Sequence, residues 1–191
     1  MEEFLLYINA CARKDSRTAQ LADALISKMN MPHEELRLYE IDFPETDEKF
    51  LDLRDSLTEN GDFQNPLFDL ARRFLQAECI VISAPYWDLS FPAVLKQYLE
   101  QINVVGITFK YSDSGVPVGL CRAKKLYYVT TAGGNFVPDD FDFGYVKALA
   151  QNFYGIGDVR LLKATGLDID GTDVSGIMRS AEEKIDALIA D

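Results

Sequence analysis

The chain has 191 residues, 48% of them hydrophobic and 26% charged, and a net charge of −12. That length suits one domain with a core of its own, and that composition excludes a disordered segment. An acid excess of this size argues against nucleic acid or an anionic membrane as the main partner. Residues 40–62 alone hold nine acids against Lys49 and Arg54.

Residues 4–9 form a short apolar run and predict a first strand. A helix is predicted over 16–29, with Leu21, Ala24, Leu25 and Met29 at helical spacing and Ser16 as its cap. Weak alternation over 36–41 predicts a second strand. The acidic segment reads as loop plus short helix, and Pro66 begins or precedes a helix ending near Ala77. Residues 79–84 are uniformly apolar, as a strand buried on both faces would be. A helix over 91–103, a strand over 125–131, a helix over 143–154, a strand over 159–164 and a helix over 173–190 follow. Strands alternating with helices imply an α/β fold with a parallel sheet covered on both sides. Five strands suggest the flavodoxin-like order 2-1-3-4-5, in a single domain spanning 1–191. Residues 106–122, with three glycines and Tyr111, break the rhythm and predict a turn-rich excursion or hairpin.

Cys11, Cys79 and Cys121 are odd in number and widely spaced. They form no metal spacing and no Cys-x-x-Cys, which points to a reducing cytoplasm. No apolar run approaches the ~20 residues of a membrane span. The amino terminus lacks a basic head and leads into a strand, unlike a signal peptide.

Three segments carry the chemistry. In a parallel sheet, the loops after strands one, three and four share the carboxyl edge, where ligands bind. The first, residues 10–18, offers Ser16, Thr18, Arg13, Arg17 and Lys14 where a helix starts, and helix starts bind anions. The second places Pro85, Tyr86, Trp87 and Asp88 at the end of the most apolar strand, an aromatic wall for a flat ligand. The third, Thr130 to Phe136, includes Gly133-Gly134, whose backbone allows close approach. Each has a plain structural reading as a cap, a core plug or a tight turn. Together, phosphate ligands, aromatic wall and exposed amides suit a flavin mononucleotide.

These segments resemble those of the flavodoxin-like NAD(P)H-dependent FMN oxidoreductases, the quinone reductase and azoreductase group, over nearly the full length. Ser16-Arg17-Thr18 falls where that family places a Ser-x-Ser/Thr phosphate loop. Pro85-Tyr86-Trp87-Asp88-Leu89 stands where it has Pro-Met-Tyr-Asn-Phe against the flavin. The stretch from Gly106 to Tyr111 is similar to its Gly-Val-Thr-Phe-Arg-Tyr. Thr131-Ala132-Gly133-Gly134 is similar to its Ser-Arg-Gly-Gly turn. The chain departs from the pattern at Ala10 for a phosphate-binding serine, at Asp88 for asparagine and at Ala132 for arginine; Cys11, Asn9 or Arg13 would compensate for the first.

The resemblance implies FMN as cofactor and NADH or NADPH as donor. It implies ping-pong transfer to a small aromatic acceptor such as a quinone, azo dye or nitroaromatic, and a homodimer. Gly133 and Gly134 amides would face the end of the flavin where charge develops, and Phe109, Tyr111 and Phe136 would stack on the acceptor. No protein acid or base is assigned. The alternative is an FMN-carrying electron-transfer or redox-sensing module, with the acidic segment as docking surface. A hydrolase lacks a Gly-x-Ser-x-Gly elbow, and His33, read as a surface loop residue, lies at the opposite edge of the sheet. A phosphoacceptor receiver lacks its acids after strands one and three. Gly155 and Gly157 precede a strand and do not follow one, so they are no dinucleotide fingerprint. Cys11, near Arg13 and a helix start, reads either as a thiol of lowered pKa or, equally, as a small buried residue.

Overall fold

A strand with neighbours on both sides and helices on both faces has no side left for water, and the chain begins with one. All five residues of β1 (Leu5–Asn9) are buried. The computed structural model describes residues 3–190. Met1 and Glu2, the start of the stretch read as unlike a signal peptide, lie outside the described residues, as does Asp191. The Ser16 hydroxyl caps α1 (Arg17–Met29) by accepting the Ala19 amide at 3.4 Å. Leu21, Ala22, Leu25 and Ile26 of this helix turn into the core.

β2 is His33–Arg37, and Leu38–Glu40 follow as a 3-10 turn. The strand therefore starts three residues before the expected 36–41. It pairs with β1 alone, at the sheet's edge, and an edge strand tolerates the polar His33, Glu34 and Glu35 that hid it. His33 opens this strand and does not lie in a loop, although it is exposed. The acidic segment contains α2 (Glu48–Glu59), capped by the Asp47 carboxylate on the Phe50 amide at 2.9 Å. Only Phe50 of α2 is buried, so the helix shows little apolar stripe and is longer than its sequence suggests.

A 3-10 turn at Pro66–Phe68 leads into α3 (Asp69–Gln76), and β3 (Cys79–Ser83) follows, buried throughout. Pro92 sits at the N-cap of α4 (Ala93–Ile102). Residues 106–122 resolve as a hairpin of β4 (Phe109–Tyr111) and β5 (Pro117–Gly119), paired antiparallel. β6 (Lys125–Thr131) precedes α5 (Phe143–Leu149), which widens into a π-helical turn at Ala150–Tyr154 and stops on left-handed Gly155. After β7 (Asp158–Ala164) the expected single closing helix is two, α6 (Val174–Glu182) and α7 (Ile185–Ala190), with Ile185 turned inward at the break.

The main sheet runs β2-β1-β3-β6-β7, parallel throughout, which is the expected five-stranded order. Alternation along each strand divides the core in two. Leu6, Ile8, Ile80, Ile82 and Tyr128 face α3, α4 and α5, with Phe74, Tyr98 and Tyr154. Leu5, Tyr7, Val81 and Tyr127 face α1, α6 and α7, with Leu21, Leu25 and Ile185.

The hairpin is fixed beside the amino-terminal edge of this sheet. The Arg122 amide donates to the Leu75 carbonyl at 3.0 Å and the Lys124 amide to Glu78 at 3.2 Å. Gly119 lies so close to Tyr154 and Gly155 that a Cβ would run into their main chain, whereas Gly157 faces open space. Backbone cannot yield as a side chain does. Gly119→Ala should therefore cost roughly 2 kcal/mol or more in urea unfolding, while Gly157→Ala should be neutral or stabilising by a few tenths.

Candidate functional site

Parallel register decides which residues meet. Asn9 stands beside Ser83, Ser83 beside Val129, and Thr131 beside Ala164. The loops after β1, β3, β6 and β7 therefore leave one edge together and enclose a cleft of about 460 Å³. This is within the ~300–1,000 Å³ typical of small-molecule sites.

Ala12, Arg13, Asp15, Ser16, Arg17 and Thr18 line one end. The first-turn amides of α1 have no helical acceptors, and the Ser16 cap takes only that of Ala19. Buried Thr18 ties helix to sheet through a 2.6 Å hydroxyl contact with Thr131. Arg17 is engaged on both terminal nitrogens, donating to the Leu167 carbonyl at 2.9 Å and to Asp168 at 2.6 Å.

Pro85, Tyr86 and Trp87 form the second wall. The Tyr86 amide donates to the Thr131 carbonyl at 3.0 Å, extending the ladder beyond β3. Trp87 and Ser90 exchange two backbone hydrogen bonds at 2.8 Å around Asp88 and Leu89, whose φ values are +50° and +70°. Two positive φ angles in a two-residue turn define type I′, a turn that favours Asn-Gly. A left-handed leucine costs about 1–2 kcal/mol. The Ser90 hydroxyl, donating to the Phe141 carbonyl at 2.8 Å, and the Tyr86 hydroxyl, 3.4 Å from that of Pro138, hold the turn in place.

Thr131, Ala132 and Gly133 complete the lining, with Asp168 from the loop after β7. Gly133 and Gly134 accept at their carbonyls from Asp168 and Gly166. Among the described residues no backbone hydrogen bond takes their amides. Gly134 has nothing within 4 Å of where a Cβ would project.

Other candidates lie elsewhere. Cys11 sits below the cleft, its thiol 3.4 Å from the Ser83 hydroxyl. Burial raises its pKa, with hydrogen bonds to Ser16 and Ser83 opposing, so the lowered thiol expected from Arg13 and the helix start is corrected. Burial likewise pushes Cys79 up to about 11 and Cys121 to about 12. Asp88 and Leu89 are exposed in their turn, and Phe136 is 79% exposed. Phe109 is buried edge-on against Phe153 at 4.9 Å. It and Tyr111 belong to the hairpin, beside the sheet edge opposite the cleft, so within one chain neither reaches it. Among the described residues no cluster of His, Cys, Asp or Glu has a metal-binding arrangement.

Two acids at this edge escaped the sequence reading. Asp168 was findable, because every parallel strand delivers its following loop to the same edge. Asp142, before α5, is 1% exposed, and neither of its carboxyl oxygens has a hydrogen-bond partner among the described residues. Burial raises its pKa, and Asp139 adds to the shift.

A family model described as flavodoxin-like fold matches residues 4–189. The chain is 36% identical over 189 residues to the FMN-dependent NADH:quinone oxidoreductase of Clostridium beijerinckii, covering 94% of each chain. It shares its fold with an azoreductase from Bacillus anthracis, at a TM-score of 0.84 and 22% identity over 97% of this chain and 98% of that one. An FMN-dependent NADH-azoreductase of the same organism, solved in complex with FMN, superposes with a TM-score of 0.78 at 24% identity, over 97% and 99%.

Asp142 has a thermodynamic consequence. A carboxyl whose folded pKa exceeds its unfolded value favours folding below the unfolded pKa, and that contribution is lost as pH rises through the folded one. In thermal melts Asp142→Asn should exceed wild type in Tm at about pH 8, and the gap should close below about pH 3.5, where the aspartate is neutral in both states.

Proposed function

We infer the function from one premise: this chain belongs to the flavodoxin-like family, beside the FMN-dependent NADH:quinone oxidoreductases. It is an oxidoreductase that uses FMN and NADH and reduces quinones or azo compounds. The observation that carries this reading is the convergence of three unlike surfaces on one cleft: a helix start with Ser16 and Arg17, the Tyr86-Trp87 wall, and the turn of Thr131, Ala132 and Gly133.

The residues present suit the cofactor. The α1 amides, Ser16 and Arg13 would hold the phosphate. Pro85, Tyr86 and Trp87 would hold the ring through main chain and aromatic surface, and the Gly133 and Gly134 amides would meet its polar edge. Bound there, FMN supplies a two-electron carrier between donor and acceptor. The protein contributes position and the exclusion of water, with the turn at residues 87–90 fixing the angle of the wall. Donor and acceptor use the same cleft in alternation, a ping-pong order, and the acceptors extend to nitroaromatics.

We further propose a homodimer. Trp87 (44%), Leu89 (43%), Phe136 (79%) and Phe141 (59%) expose apolar surface, as interaction surfaces do. Tyr111 would serve acceptor stacking only from a second copy. Three free thiols support a reducing cytoplasm, and among the described residues no helix is long and apolar enough to cross a membrane.

Purified protein, supplemented with FMN and desalted, should retain a flavin spectrum that bleaches on anaerobic addition of NADH. Initial rates with a quinone should give parallel double-reciprocal lines. Retained flavin that stays oxidised would favour a carrier and sink the enzyme reading. Trp87→Ala should weaken FMN binding about tenfold, the ~1.4 kcal/mol of one aromatic contact, in a flavin-fluorescence titration.

A further inference from the structure

The anion end of the cleft carries as many acids as arginines: Asp15 and Asp168 face it together with Arg13 and Arg17. The second pair is joined. Arg17 Nη2 lies 2.6 Å from Asp168 Oδ1, while Nη1 binds the Leu167 carbonyl at 2.9 Å. Asp168 is seated by the sheet edge as well, its amide donating to the Gly133 carbonyl at 2.9 Å. A side chain at position 133 would collide with the Asp168 carboxylate, so the glycine opens the space that this carboxylate occupies. Both partners remain wet, with side-chain exposures of 35% for Arg17 and 65% for Asp168.

A carboxylate and a phosphate monoester compete for the same guanidinium. The monoester carries about −1.5 to −2 charges at pH 7, and a like charge left in the cleft opposes its entry. The ring and ribityl chain of an oxidised flavin carry no net charge, so the carboxylate affects them far less than it affects the phosphate. Resting on the reading that this cleft takes FMN, we infer that Asp168 sets the cleft's discrimination between phosphorylated and unphosphorylated flavin, by holding Arg17 as an internal counter-ion that the phosphate has to share or displace. Asp168 thus keeps FMN binding weaker, and its preference over riboflavin smaller, than the arginines alone would make them.

The test is a pair of dissociation constants, for FMN and for riboflavin, measured by flavin-fluorescence titration at fixed ionic strength on wild type, Asp168→Asn and Asp168→Glu. Asp168→Asn should tighten FMN by roughly three- to tenfold, the worth of one exposed ion pair plus the removed repulsion. The riboflavin constant should stay put, which also shows an intact cleft, and Asp168→Glu should behave as wild type. An FMN constant unchanged or weakened by Asp168→Asn, or FMN and riboflavin tightened equally, overturns the inference while the flavin reading stands. Wild type that binds neither ligand overturns both.

Discussion

The level register of β1, β3 and β6 is the constraint on which the cleft depends. Leu5, Cys79 and Lys125 stand side by side, and the three strands run on in step from there. Since side chains alternate with period two, a slip of one residue would exchange the two half-cores. The ladder also continues past the strand ends: Ala10 donates to Ser83, Ala84 to Val129, Tyr86 to Thr131 and Ala132 to Ala164, at 2.8–3.0 Å. Each cleft loop therefore departs from main chain already locked to its neighbour, and the lining inherits its position from the sheet.

Beneath the cleft lies a polar pedestal. The Tyr7 hydroxyl meets that of Ser83 at 3.0 Å, Asn9 donates to Glu35 at 2.8 Å, and the Cys11 amide donates to Asn9 at 2.9 Å. Buried polar groups are costly when unpaired, and these are paired. Across the sheet at the same edge, Asp142, Tyr128 and Thr130 hold side-chain oxygens without hydrogen-bond partners among the described residues. One half of the edge is thus stiffened by satisfied bonds, and the other keeps unused bonding capacity close behind Tyr86.

What could be read from the sequence follows from how strongly burial marks a segment. β3 and β6 were plain because continuous apolar runs have few other uses, and their order fixed the edge that bears the loops. β2 starts earlier than its weak alternation suggests because an edge strand carries polar residues, and α2 is longer than its sequence suggests because it buries one side chain. Ser16, Tyr86 and Gly133 were legible as local chemistry, a cap, an aromatic after a strand and a flexible turn. The strand order places Asp168 at the cleft edge, but its role does not show in the sequence, since that role lies in a partner 151 residues away. Phe109 shows the converse: an aromatic in a matching motif, yet packed on Phe153 beside the far edge.

Trp87 is the only tryptophan in the chain, and it stands partly exposed in the cleft wall while the core is built from other residues. Emission excited in the tryptophan band, apart from that of the nine tyrosines, is therefore a local signal from one strained turn. A change in its colour or intensity reports events at the mouth of the cleft, and the unfolding of the sheet reaches it only when that turn lets go.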